Sequence, residues 1–589
     1  MNNIIKGISI TLGCFWMTSC SEMGFGDRFL GNQPESSGAT TAEMFSSKAN
    51  ADKVLTKAYT GLLYGLPVSG DYRMGGNILE AITDLCQSSR DNINDGPLKS
   101  YYNGSLSPTN IPASAAYVYG GKSDWTTIRY AWMYIENVDK VPDISVSDKN
   151  ERIAEAKTLI ALSYFRMMRY VGGVCWLDHS VDINEKMDFP RITFDQTIRN
   201  IVALLDEAIP HLQWKQRNPK EDDGRMIMAG AMALKFQVLQ WAASPTFNSD
   251  KKWHPAADEY TCYGNYSKDR WIAAEKAGTA FFNEVAQRGG FSLIQPDADT
   301  HKARRLAYRK AYYDRGGTEV LISIRKGYGP GTHDDFIGEP FYTGPTLDYV
   351  DMFPWSDGAD FPEDFDWKKP SKQPFFVYSE KDGMVPTRDP RLYENVACPG
   401  DIFRNGMTAP VYINHPSYNN GTGFLIMKFI LQESSDRNDR PVQWSYLRLA
   451  ELMLGYAEVL NETHTGPTVE AYQMVNEVRA RVGLSALPEK LNQKQFLTAV
   501  MKERALELGF EEVRWFDLVR RDCQQDFTKP LHGLRTKGND LNYPTAFTFE
   551  KFTLDQRYWA GTWDTKWYLT PIPQNEINKK YGMTQNPGW

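Results

Sequence analysis

The chain lacks long apolar runs, clustered basic residues and paired cysteines. Each absence excludes something. Its first apolar stretch, about Gly7 to Met17, is too short to cross a hydrocarbon core of about 30 Å, which takes about 20 helical residues. Lys and Arg total 66 against 73 Asp and Glu, a formal charge of -7, so no polyanion-binding surface is expected and nucleic acid is excluded as a partner. No CxxC pair or other metal-ligand spacing occurs among the 7 cysteines, which supports neither a zinc site nor a disulfide framework.

What is present begins with an export signal. Lys6 and the amino terminus precede the short apolar stretch, the layout of a signal peptide. Met17-Thr18-Ser19-Cys20 resembles the bacterial lipobox, in which the cysteine thiol takes diacylglycerol before cleavage in front of it. Residues 1–19 are therefore expected to be removed and Cys20 to be lipidated. More than one acyl chain makes such an anchor stable, since each buried CH₂ contributes about 0.8 kcal/mol. Ser21, Glu22 and Asp27 resemble the residues after the cysteine in outer-membrane lipoproteins. Residues 20–40, rich in Gly, Ser and Asn, read as a flexible tether. With Cys14 removed and Cys20 lipidated, Cys86, Cys175, Cys262, Cys398 and Cys523 remain, an odd set that cannot all pair within the chain.

The rest predicts a mainly α protein. Helices are expected from about Thr41 to Tyr64, Glu151 to Val171, Ile192 to Leu212, Met226 to Ala243 and Trp271 to Ala286. The fourth is apolar nearly all round but interrupted by Lys235, Gln237 and Gln240, the pattern of a buried central helix. Trp444 to Glu462 and Pro467 to Val482 predict an antiparallel pair resembling degenerate tetratricopeptide-type units. Before that pair, residues 287–443 turn to Gly, Pro, Asp and aromatic residues and predict a loop-rich lobe without long helices. The expected division is 41–286 helical, 287–443 lobe and 444–589 helical.

Several segments together resemble the SusD/RagB family of outer-membrane lipoproteins of the Bacteroidetes. They are WSYLRLAELMLGYAEVLNE (Trp444 to Glu462), VNEVRARVGL (Val475 to Leu484), ERALELGFEEVRWFDLVRR (Glu503 to Arg521) and WYLTPIPQNEINKKYGMTQNPGW (Trp567 to Trp589), with Trp125, Tyr134, Ile135 and Asn137 earlier. The resemblance implies a helical scaffold under an irregular lobe, capping a TonB-dependent (SusC-like) transporter at the cell exterior. It implies capture of an oligosaccharide or polysaccharide, without catalysis. Around Arg514 to Asp517, the residues themselves predict core packing and ion pairing, with Phe510, Val513 and Trp515 or Phe516 inward and Glu511, Glu512 and Arg520 solvated or paired.

Aromatic residues make 13% of the chain, and those in polar loops invite a binding role. An aromatic plane packs on the C–H face of a sugar while a polar rim bonds its hydroxyls. Three segments offer both. Asp84 to Ser105 contributes Asp84, Arg90, Asp91, Tyr101 and Tyr102; Arg325 to Phe336 contributes Tyr328 between glycines; Phe353 to Trp367 contributes Trp355 and Trp367. The alternatives are solvated loops and rings packed on the body. No cofactor or metal is expected. His333, Asp334 and Asp335 lack a further ligand pattern, and the acidic residues of the third segment are of the type calcium takes, although their spacing is not that of an EF-hand. Two other functions compete: a protein-binding repeat scaffold, and a glycoside hydrolase with two opposed carboxylates about 5 to 9.5 Å apart.

Overall fold

The computed structural model describes residues 40–62, 65, 79–88, 96–111, 122–182, 184–186, 188–218, 220–325, 343–375, 386–404, 407–408, 421–429, 443–539 and 546–589. Helices dominate. The N-terminal set is α1 (Thr41–Met44), α2 (Lys48–Tyr59), α3 (Gly96–Tyr102), α4 (Lys122–Asn137), α5 (Val146–Val171), α6 (Phe194–Ala208), α7 (Met228–Ala243) and α8 (Lys268–Arg288). Hydroxyl or amide caps start most of them: Thr40, Ser47, Ser145, Thr193 and Ser267 each accept a backbone N–H from the first turn. The expected helix over 41–64 is split at Phe45 to Ser47, where Ser47 caps a second start. Gly172 ends α5 with φ 78°, and a Cβ there would lie 2.5 Å from the Tyr260 carbonyl oxygen.

α7 is the buried centre. Its polar residues have partners rather than solvent: Gln237 donates to Glu451 at 2.9 Å and Gln240 to Glu458 at 2.9 Å. Tyr456 packs so closely on Gly278 that a Cβ there would lie 2.4 Å from its ring. No helix of the described residues is long and apolar enough to cross a membrane.

The lobe contains more helix than its composition predicts. After α8 comes α9 (His301–Tyr313), a 13-residue helix capped by Thr300. Its Lys and Arg residues obscure an inward stripe of Ala303, Ala307, Tyr308, Ala311 and Tyr312. The strands are short: β1 (Cys86–Ser88), β2 (Val320–Arg325), β3 (Thr343–Pro345), β4 (Gln443–Arg448), β5 (His532–Gly538) and β6 (Phe547–Thr553), with α10 (Leu347–Met352) after β3. They form antiparallel ribbons, β1 with β3, β2 with β4 and β5 with β6. The expected helix from Trp444 therefore begins later, as α11 (Leu449–Thr463), because Trp444 to Arg448 pair with β2. α12 (Val469–Arg481), α13 (Gln493–Leu508) and α14 (Arg514–Arg520) complete the body.

Two hydrophobic cores result. The larger fills the helical body. The smaller lies in the lobe and joins Leu85, Cys86, Leu347, Tyr349, Trp355, Trp367, Leu392 and Phe424 to Leu506 and Phe510 at the end of α13.

Between the cores runs a buried ion network. Arg391 pairs with Asp389 at 2.8 Å, Glu503 at 2.6 Å and Glu507 at 3.2 Å. Arg448 pairs with Glu507 at 2.6 Å and Glu511 at 2.7 Å, and Arg481 with Glu319 at 2.7 Å and with Glu507. Lys428 reaches Glu511 at 2.5 Å. Burial opposes ionisation of Glu507, but Arg481, Arg448 and Arg391 outweigh it and hold its carboxyl well below the usual range. This network joins the lobe (Asp389, Arg391, Lys428) to β4, α12 and α13.

Candidate ligand-facing surface

The described ends of the loop segments are brought together by the ribbons. In the β1–β3 ribbon Ser88 is opposite Thr343, so the chain leaving β1 and the chain entering β3 share one end. In the β2–β4 ribbon Arg325 is opposite Gln443, which pairs another exit and entry. Tyr102 fixes the first of these ends. Its hydroxyl donates to the Ala81 carbonyl at 2.6 Å and accepts the Ser88 N–H at 3.1 Å.

Asp84 and Tyr101 are corrected to structural roles by their burial. Asp84 is fully enclosed and accepts from Arg514 Nε at 2.9 Å, Arg514 Nη2 at 2.8 Å and Lys529 Nζ at 3.0 Å. Burial opposes its charge, yet Arg514 and Lys529 hold its carboxyl well below the ordinary range. Tyr101 is 1% exposed among Trp515, Trp559 and Trp567, with ring centroids 5.4 to 6.1 Å away, leaving no face for a sugar.

Trp355 and Trp367 come together in one aromatic cluster within the smaller core. Phe361 and Phe365 lie between them, with centroids 4.9 to 6.2 Å from the two indoles. Trp367 is enclosed further by Phe375 and Phe549, each at 5.7 Å. Trp355 is covered on its ring by the ammonium of exposed Lys372 at 4.2 Å, and the buried Arg388 guanidinium lies 5.4 Å from its centroid. Both indoles are buried, Trp355 8% and Trp367 4% exposed, so neither presents an open face to a ligand in this structure. Arg90, Asp91, Tyr328 and Cys20 lie outside the described residues.

The acidic residues of the third segment have local tasks. Asp357 accepts the Ala359 N–H at 3.0 Å, Asp366 accepts those of Lys368 and Lys369 at 3.0 and 3.2 Å, and Asp360 pairs with Lys502 at 2.7 Å. Among the described residues no group of three or more His, Cys, Asp or Glu is arranged to hold a metal ion. The five cysteines of the described residues are free thiols, four of them buried.

Sequence reasoning missed Tyr558. Its ring is 47% exposed and lies over Gly104, just after α3, where a Cβ would meet it at 2.3 Å. No periodicity marks it, because its neighbour in space is more than 400 positions away.

A helical body, a lobe with its own core and short ribbons that gather the loop ends make up the fold. Residues 340–589 match the model of the SusD family. The chain is SusD-like in sequence there and in fold along almost its whole length. SusD-like protein P38 of Formosa agariphila is 24% identical over 433 residues, 67% of this chain and 71% of that one. A SusD-like protein of Bacteroides fragilis superposes with a TM-score of 0.70 at 22% identity, covering 94% of this chain and 99% of that one. A SusD-like carbohydrate-binding protein of the same species gives 0.67 at 19% identity, covering 91% and 98%.

Proposed function

We propose that the protein is a non-catalytic, glycan-binding lipoprotein of the outer membrane, anchored through Cys20 and facing the cell exterior, that delivers its ligand to a TonB-dependent transporter. The observation that carries this reading is the SusD-like fold over 94% of the chain. One solved structure of that fold, from Bacteroides fragilis, is described as a carbohydrate-binding protein. Tyr102 holds the end of the β1–β3 ribbon, and Trp355, 8% exposed, becomes a stacking face for a sugar once Lys372 moves off it. Tyr558 adds an exposed ring beside α3.

The test is retention of the purified chain lacking residues 1–20 on a panel of polysaccharides, with the unbound fraction examined for released sugars. Retention without product supports the reading. Released oligosaccharides support a hydrolase instead, and no retention on any member favours a protein-binding scaffold.

A further inference from the structure

Glu80 is a buried carboxyl with no ion pair among the described residues. It stands in the 3-10 turn Leu79–Ile82 and is 1% exposed. Its Oε1 accepts the Glu512 N–H at 2.6 Å, while its Oε2 is buried with no hydrogen-bond partner. Among the described residues no Lys, Arg or His forms an ion pair with it. Glu512 ends the α13–α14 turn, where Phe510 and Glu512 hold φ values of 66° and 60°, a left-handed conformation that non-glycine residues adopt at a cost. Glu80 therefore bonds the backbone of a strained turn while facing the acidic side chain of the residue it bonds.

Other titratable groups of the described residues lie around the pair. Lys428, from the segment after Ile426, is committed to Glu511 at 2.5 Å, the Tyr308 hydroxyl at 2.9 Å and the Gly509 carbonyl at 2.9 Å. Tyr349 of α10 and Cys86 of β1 face Glu80, and Tyr446 of β4 faces Glu512. Lys428, whose charge acts on Glu80, is thus paired with Glu511 instead.

We propose that docking of the Leu79–Ser88 segment on the α13–α14 turn is linked to proton binding, with Glu80 as the group that takes the proton. The docked, uncharged acid avoids burying an anion beside Glu512, and the N–H···Oε1 bond survives in that form. Burial first, and the Glu512 charge second, push the Glu80 carboxyl up to about 8 from an ordinary value of 4.5. A released, solvated Glu80 loses its proton at the lower value. Between 4.5 and 8 the docked segment holds one more proton than the released one, so docking weakens as pH rises, by at most about tenfold per pH unit. Below 4.5 and above 8 this dependence vanishes. The Asp84–Arg514 pair holds the later part of the segment in place, so the response is an opening around Glu80 rather than unfolding.

Hydrogen exchange on the full chain, comparing wild type with Glu80→Gln between pH 5.5 and 8.5, tests this. Gln keeps the size and the Oε1 acceptor and cannot ionise. The ratio of wild-type to variant exchange in peptides covering 79–88 and 510–514 is expected to rise severalfold per pH unit and to level off above about 8. Peptides from α7 are expected to show a constant ratio. A flat ratio in 79–88 overturns the proposal. Glu512→Gln gives an independent check: removing the facing carboxylate is expected to move the upper end of the dependence to lower pH, and a profile identical to wild type also contradicts the proposal.

Discussion

Asp84 and Arg514, 430 positions apart, form a two-pronged buried ion pair with bonds of 2.9 and 2.8 Å. The residue that seemed from composition to offer a carboxylate to a ligand instead holds the start of β1 to the first turn of α14. Asp84→Asn is expected to destabilise the protein by about 3–5 kcal/mol at neutral pH, the usual result of stranding one charge of a buried pair. The folded-state pKa is depressed, so the stabilisation is fully present above the ordinary value of 3.8 and is lost as pH falls through the folded value. Denaturant unfolding of wild type and variant at pH 7 and pH 3 measures it: the gap is expected to be narrower at pH 3.

Glu507 is the hub of the larger network, bonded to Arg391, Arg448 and Arg481. Glu507→Gln keeps the volume and leaves three guanidinium groups short of a countercharge. A loss of about 3–5 kcal/mol is expected in chemical denaturation. Because Arg391 belongs to the lobe, protease cleavage in residues 386–404 is expected to increase with it.

The two indoles of the lobe are expected to separate. Trp367 is enclosed by four aromatic rings, so Trp367→Ala is expected to cost about 3–5 kcal/mol of stability. Trp355→Ala is expected to weaken glycan binding roughly fivefold, from a stacking contact of about 1 kcal/mol. Calorimetric titration and thermal melting on the same two variants check both. Unchanged affinity in Trp355→Ala removes that residue from the surface.

All five cysteines of the described residues are unpaired. Dithiothreitol is therefore expected to leave the melting temperature of the protein lacking residues 1–20 unchanged. Burial raises the Cys523 thiol to about 11, and this half-buried thiol is expected to alkylate slowly, ahead of the four buried ones. Mass spectrometry after iodoacetamide treatment reads the order.

Cys20→Ala is expected to release the protein from the membrane fraction while leaving glycan affinity in solution intact. Fractionation followed by titration checks the two halves separately.

Local signals made the helices legible. Thr193, Ser145 and Ser267 cap the helices that the apolar periodicity announces, and the Lys235, Gln237 and Gln240 interruptions mark α7 as buried. The reading of Arg514 to Arg520 as core and ion pairs also matches its geometry, with Trp515 and Phe516 inward and Arg520 bonded to Glu458 and Asp517. What could not be read depends on distant partners. Trp444 to Arg448 form a strand only because Val320 to Arg325 lie beside them, and the apolar stripe of α9 is hidden among Arg304, Arg305, Arg309 and Lys310. The candidate site was least legible of all, since a tyrosine or tryptophan in a polar loop has the same local sequence whether its ring faces solvent or, like Tyr101, three other indoles.

The central claim is binding of a glycan without turnover. Calorimetric titration of the chain lacking residues 1–20 with the best-retained oligosaccharide of the panel, followed by chromatography of the same cell contents, tests it most directly. Saturable heat with the oligosaccharide recovered intact is the predicted result; absence of binding across the panel, or recovery of shorter sugars, contradicts it.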